Sequence, residues 1–286
     1  MPVAPHAFFL DTPGGPRFCQ LHDALGSAPR GQVLYIHPFA EEMNKSRRMA
    51  ALQARALCAA GYTVLQIDLH GCGDSGGDFG DASWQSWVDD VAFAGQWLQA
   101  RGPAPLWIWG LRAGCLLAVE GAKRLNTPCS LLFWAPTPVG KPLLQQFLRL
   151  KAAGDMLGGQ AKAIMEGLRQ QLASGHAAEV AGYALAPGLA QGLELATLKP
   201  AGAIQRIVWL ELSTREDAGL TPVATNTIAS WQQAGVAVHS QIANGPAFWQ
   251  TTEIEEAPAL IEATLAALAE PSGAAKHPIA DGEVAA

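Results

Sequence analysis

Apolar runs of strand length alternate with longer stretches of helical periodicity along this chain, which predicts a mainly parallel sheet covered by helices on both faces. Phe8 to Leu10 and Phe18 to Leu21 flank Thr12-Pro13-Gly14-Gly15 and read as a hairpin. Val33 to Ile36 opens the parallel part, and a helical segment from about Asn44 to Ala60 closes at Gly61. Thr63 to Asp68 is the next strand, Ser83 caps a helix running towards Gln99, and Leu106 to Trp109 leads into a helix after Gly110. Leu131 to Trp134, Ile207 to Leu210 and Val236 to His239 complete the strands, with helices near Pro222 to Gln233 and Ile254 to Leu268. The count suits a doubly wound sheet.

Residues 140–199 interrupt that alternation with helical periodicity and no convincing strand. Leu143, Leu144, Phe147, Leu148 and Leu150 form one apolar face there, and Ile164, Leu168 and Leu172 another, as in a helical cap. The predicted organisation is a core of residues 1–139 and 200–270, a cap insertion at 140–199, and a small, polar, disordered tail at 271–286.

Composition narrows the function classes. The 286 residues are 49% hydrophobic and 15% charged with a net charge of -6, so a large core is available but no basic surface that would neutralise phosphates. Nucleic acid is not an expected partner. Met1 to Leu10 lacks the charged and apolar regions of a secretory signal, and no stretch reaches membrane-spanning length, which predicts a cytoplasmic protein. The five cysteines are odd in number and lack close pairs, so they read as buried thiols, with neither a metal nor a cofactor expected.

The chemistry concentrates around Trp109-Gly110-Leu111-Arg112-Ala113-Gly114. A strand, two glycines around a central residue, and a helix are the parts of the sharp turn G-x-S-x-G that presents a serine nucleophile. Here the central residue is Arg112. A guanidinium carries five donors, stays protonated, and has no lone pair with which to attack a carbonyl. It can bind or stabilise negative charge. At a helix start it sits beside free N–H groups and the positive dipole end, which suits a carboxylate or phosphate. Alternatively it pairs with an internal carboxylate and plugs the site.

The residues around it divide into lost and retained parts. The loop after the last strand, Asn244 to Trp249, holds no histidine, and His239 lies inside the preceding strand. Glu211, Glu216 and Asp217 surround the place of a triad acid and become candidate partners of Arg112, as do Glu41 and Glu42. His37-Pro38-Phe39-Ala40-Glu41-Glu42 occupies the place of an oxyanion loop, where the N–H groups of Phe39 and Ala113 would be the donors. Ser75, in the turn Asp68-Leu69-His70-Gly71-Cys72-Gly73-Asp74-Ser75, reads as structural. Phe248 and Trp249 are candidates for a ligand pocket wall.

The chain resembles the α/β-hydrolase superfamily, and within it hydrolase 2 of the exosortase A (PEP-CTERM) system-associated group. The resemblance rests on His37 to Arg48, Gln66 to Ser75, the Trp109-Gly110-Leu111-Arg112 turn and Gly245 to Thr251. It implies a bacterial cytoplasmic protein linked to exopolysaccharide and protein-sorting functions, with a hydrolase label inherited from the fold. Three functions compete. One is a ligand-binding or scaffolding protein holding an anionic or acyl ligand through Arg112, Phe39, Ala113, Phe248 and Trp249. The second is an active ester, thioester or glycosyl hydrolase using His37, Glu41 or Glu42 through water. The third is an interaction partner within the exosortase system that docks through the cap or the Gly245 loop.

Overall fold

The computed structural model describes residues 4–26, 28–125, 127–154, 161–200 and 203–270. An antiparallel hairpin, β1 (His6–Thr12) and β2 (Gly15–His22), leads to β3 (Gly31–Ile36), α1 (Glu41–Ala59), β4 (Tyr62–Ile67) and α2 (Trp84–Gln99). Then follow β5 (Leu106–Leu111), α3 (Ala113–Ala122) and β6 (Cys129–Trp134). After an insertion come β9 (Ile204–Ser213), α7 (Pro222–Gln233), β10 (Ala237–Asn244) and α8 (Pro258–Ala269). The eight-stranded sheet has the order β1-β2-β4-β3-β5-β6-β9-β10, antiparallel from β1 to β4 and parallel beyond.

Strand periodicity separates two cores. Leu34, Ile36, Ile108, Leu131, Phe133 and Trp209 face the side covered by α2, α3 and α7. Their alternates Val33, Tyr35, Trp107, Trp109, Leu132 and Trp134 face α1 and α8. A central strand buried on both faces reads as a continuous apolar run because each successive side chain enters the opposite core. The mainly parallel sheet is the one predicted from the alternation of elements, and the architecture as a whole is the α/β-hydrolase fold that the resemblance implied.

Two helix starts differ from the pattern. The first turn of α1 begins at Glu41 rather than near Asn44, with Glu41 and Glu42 as acids at its positive end. Helix α8 begins at Pro258 rather than Ile254, because proline suits the first helical position, where no N–H bond is lost.

Between β6 and β9 lie α4 (Lys141–Gly154), α5 (Ala161–Ala173), β7 (Ala178–Val180), β8 (Tyr183–Leu185) and α6 (Pro187–Leu195). Leu143, Leu144, Phe147, Leu148 and Leu168 are buried there, whereas Leu150 is exposed. The small antiparallel pair β7 and β8 is a departure from the strand-free insertion, since three-residue strands leave almost no periodic signal. The predicted tail at 271–286 lies outside the described residues.

A buried ion pair fastens the hairpin to the helical layer. Arg17 Nε on β2 donates to Asp90 Oδ1 on α2 at 2.8 Å, with both side chains almost fully buried. The other Asp90 oxygen accepts the His70 N–H at 2.8 Å. Ser75 braces the same corner, accepting the Phe18 N–H at 2.8 Å while its hydroxyl donates to the Asp68 carbonyl. Replacing Asp90 by alanine would strand the Arg17 charge without a counter-ion, so urea unfolding of Asp90→Ala should show a loss of about 3–5 kcal/mol. A loss below about 1 kcal/mol would mean that the pair carries little of the stability.

Candidate functional site

Strand β5 ends in a turn so tight that only glycine fits on either side of Arg112. A Cβ on Gly110 would lie 2.5 Å from the Cys115 nitrogen, and one on Gly114 would lie 2.3 Å from the Ile36 carbonyl oxygen. Helix α3 therefore starts in direct contact with the end of β3. Arg112 itself takes φ 54° and ψ -116°, a strained backbone held because its N–H donates to the Trp134 carbonyl at 3.0 Å and its own carbonyl accepts the Cys115 N–H at 3.0 Å. The geometry is that of a nucleophile elbow with a guanidinium in the nucleophile's place.

The guanidinium is enclosed. Its Nε and Nη2 donate to Glu42 Oε1 at 3.4 and 3.3 Å, Nη1 donates to Thr137 Oγ1 at 3.3 Å, and Nη2 also donates to Gln146 Oε1 at 3.0 Å. The Trp249 ring lies over it with 5.4 Å between the guanidinium carbon and the ring centroid, within cation–π range. Only 13% of the Arg112 side chain and 8% of the Glu42 side chain are exposed. Glu42 belongs to α1, Thr137 to the segment after β6, Gln146 to α4 and Trp249 to the loop after β10. One side chain thus joins the core, the insertion and the last loop.

The expected acid partners sit elsewhere. Glu211 accepts from Trp209 Nε1 at 2.8 Å, Asp217 lies 3.4 Å from Arg215, and Glu216 is exposed. The carboxylate that meets Arg112 is Glu42, brought there by the start of α1. Thr137 and Gln146 went unread in the sequence. Gln146 does leave a signal, as a polar residue three positions after Leu143 on the inward stripe of α4.

The remaining candidates are placed as follows. His37 is buried, its Nδ1 donates to the Pro38 carbonyl at 2.8 Å, and its Nε2 accepts the Leu69 N–H at 3.2 Å. Both ring nitrogens are occupied, and burial lowers the ring pKa, which keeps the imidazole neutral. Phe39 packs edge-on against Phe79, Trp87 and Phe147. Ala113 is buried at the start of α3. Phe248 is wholly buried beside Trp134, and Trp249 is the aromatic of that loop that meets the arginine. His239, inside β10, approaches Glu270 at 3.5 Å. Among the described residues, no group of His, Cys, Asp and Glu side chains is arranged to hold a metal ion.

The sheet order and this elbow define an α/β-hydrolase. More narrowly, residues 27–188 match the Hydrolase_4 family, described as serine aminopeptidase, S33, and the chain belongs to that family. Over 109 residues it is 34% identical to a lysophosphatidylserine lipase, ABHD12, from Danio rerio, a match covering 36% of this chain. The matched stretch spans only 27% of that relative's length. Est1E from Butyrivibrio proteoclasticus, solved with ferulic acid, superposes with a TM-score of 0.61 at 15% identity, covering 92% of this chain and 98% of that one. A monoglyceride lipase variant from Saccharomyces cerevisiae, solved with a substrate analogue, gives 0.60 at 15% identity over 93% and 96%. At that identity the structural likeness establishes the fold.

Burial raises the Glu42 carboxyl above the ordinary carboxylate range, outweighing the opposing pull of Arg112. Because the folded value is the higher one, the stability linked to the protonated carboxyl is complete below the unfolded pKa. It is lost as pH rises through the folded pKa. Glu42→Gln mimics the protonated form at every pH. Its unfolding free energy relative to wild type should therefore increase from pH 4 to pH 8, as followed by chemical denaturation across that range. A pH-independent difference would remove Glu42 as a titrating group.

Proposed function

We propose that this chain is a non-hydrolysing member of its family, a ligand-binding or scaffolding protein for an anionic or acyl ligand. The observation that carries the reading is the enclosed guanidinium at the elbow. Arg112 supplies no nucleophile, and its guanidinium is already paired with Glu42. In this reading an incoming carboxylate exchanges with Glu42 on Arg112, while Gln146 and Thr137 supply polar contacts. The residues resembling the exosortase A-associated group give the reading its setting, a cytoplasmic protein working with an exopolysaccharide or protein-sorting partner.

A second reading rests on Glu42. Its Oε2 is buried without a hydrogen-bond partner, and its raised pKa suits a general acid working through water, with Arg112 holding developing negative charge. It predicts slow ester, thioester or glycosyl cleavage that Glu42→Gln abolishes.

Fluorophosphonate labelling and p-nitrophenyl ester turnover separate the two. Wild type should show neither labelling nor turnover. Arg112→Ser restores a hydroxyl at the strained turn but no imidazole to activate it, so it should stay within about tenfold of background. Wild-type turnover that disappears in Glu42→Gln would replace the non-hydrolysing reading with the enzymatic one.

A further inference from the structure

On the α1 side of the sheet a cavity of about 350 Å³ opens between β2, β4 and α1, with neither Arg112 nor Glu42 nor Trp249 among its lining residues. Arg47 and Arg55 stand along its rim, two turns apart on α1, while Phe18, Met43 and Ile67 supply apolar wall. Asp68 is its one carboxylate, and that charge is met by Arg47 Nη2 at 3.2 Å. No carboxylate among the described residues forms an ion pair with Arg55. The lining, with His37 neutral, therefore carries one unmatched positive charge.

Tyr35 supplies the second observation. It is 5% exposed, lines the cavity, and its ring is fixed against Trp109 at 4.3 Å between centroids. Its hydroxyl bonds to no other described side chain or backbone group and is not among the side-chain atoms sealed from solvent, so the buried ring presents a free hydroxyl to accessible space at the cavity it lines. Burial raises its pKa, so the hydroxyl remains a donor. A donor fixed by a buried ring, an unmatched guanidinium and an apolar wall make a combination suited to an oxyanion carried on a compact apolar body.

We infer that this cavity is a second ligand site, which binds a small organic anion, carboxylate or phosphate monoester, through Arg55, the free edge of Arg47 and the Tyr35 hydroxyl. The volume lies at the small end of ligand sites, which favours a single ring or short branched chain over a long acyl tail. Asp68 holds Arg47 in place, and Arg55 attracts the anion from solvent.

Isothermal titration of the whole chain with benzoate and with phenyl phosphate, and with benzyl alcohol as the neutral counterpart, tests this. Saturable binding of at least one anion is expected, and the tighter of the two identifies carboxylate or phosphate as the preferred group. Arg55→Gln should weaken it about tenfold or more, as the loss of a charge-assisted contact does. Tyr35→Phe should weaken it about threefold or more, and the Arg55-dependent binding should persist in Arg112→Gln, which removes only the elbow's own anion contact. Arg55 is exposed, so its variant tests the site even if Tyr35→Phe fails to fold. No saturation by either anion below about 10 mM, equal binding of benzyl alcohol, wild-type affinity in Arg55→Gln, or loss of the Arg55-dependent binding in Arg112→Gln would each overturn the assignment.

Discussion

The contact between the turn after β5 and the end of β3 governs the architecture of this molecule. Two glycines allow backbone to touch backbone there, and the residue between them is forced into a conformation that side-chain-bearing residues rarely adopt. The cost is met by close packing on every side, with β3, β5 and β6 converging and α3 leaving at once. Whatever side chain stands at position 112 is aimed over the carboxyl edge of the sheet, where chemistry in such folds is done. Placing a guanidinium there turns a tightly packed turn into an electrostatic anchor.

That anchor has its own energetics. An ion pair removed from water gains little net stability, because desolvation of both partners offsets their attraction. The raised Glu42 pKa is the local sign of that balance. What the Arg112 cluster contributes is definition: the donors of one planar fork are matched by a carboxylate, an amide oxygen, a hydroxyl and an aromatic face from four separate parts of the chain. The buried Arg17 and Asp90 pair acts similarly towards the hairpin side of the sheet, where it fixes how the antiparallel hairpin meets α2.

Local physics made much of this readable from the residues. The two-sided burial of β3, β5 and β6 leaves uninterrupted apolar runs, and the steric demand at Gly110 and Gly114 leaves two glycines at fixed spacing. The loss of the serine and of the loop histidine is a matter of residue identity. The partner of Arg112 was harder, because Glu42 lies seventy positions earlier and reaches the arginine only through the entry angle of α1. Carboxylates close to the expected acid position, Glu211 among them, are equally good candidates by residue type, and in the fold Glu211 accepts from Trp209 Nε1 instead. Phe248 illustrates the same limit: a loop aromatic reads as a pocket wall, yet the chain folds back and buries it beside Trp134. The strands β7 and β8 escaped because three residues hold less than two periods of alternation.

The reach of the arginine side chain has a mechanical consequence. A serine at the elbow would end one bond beyond its Cβ, leaving the insertion above it free to ride up and down. Arg112 instead extends to Gln146 on α4, so lifting that helix means detaching it from a group rooted in a closely packed turn. Motion of the insertion and the electrical state of the elbow become a single coordinate, and a molecule that neutralises the guanidinium would also release the roof.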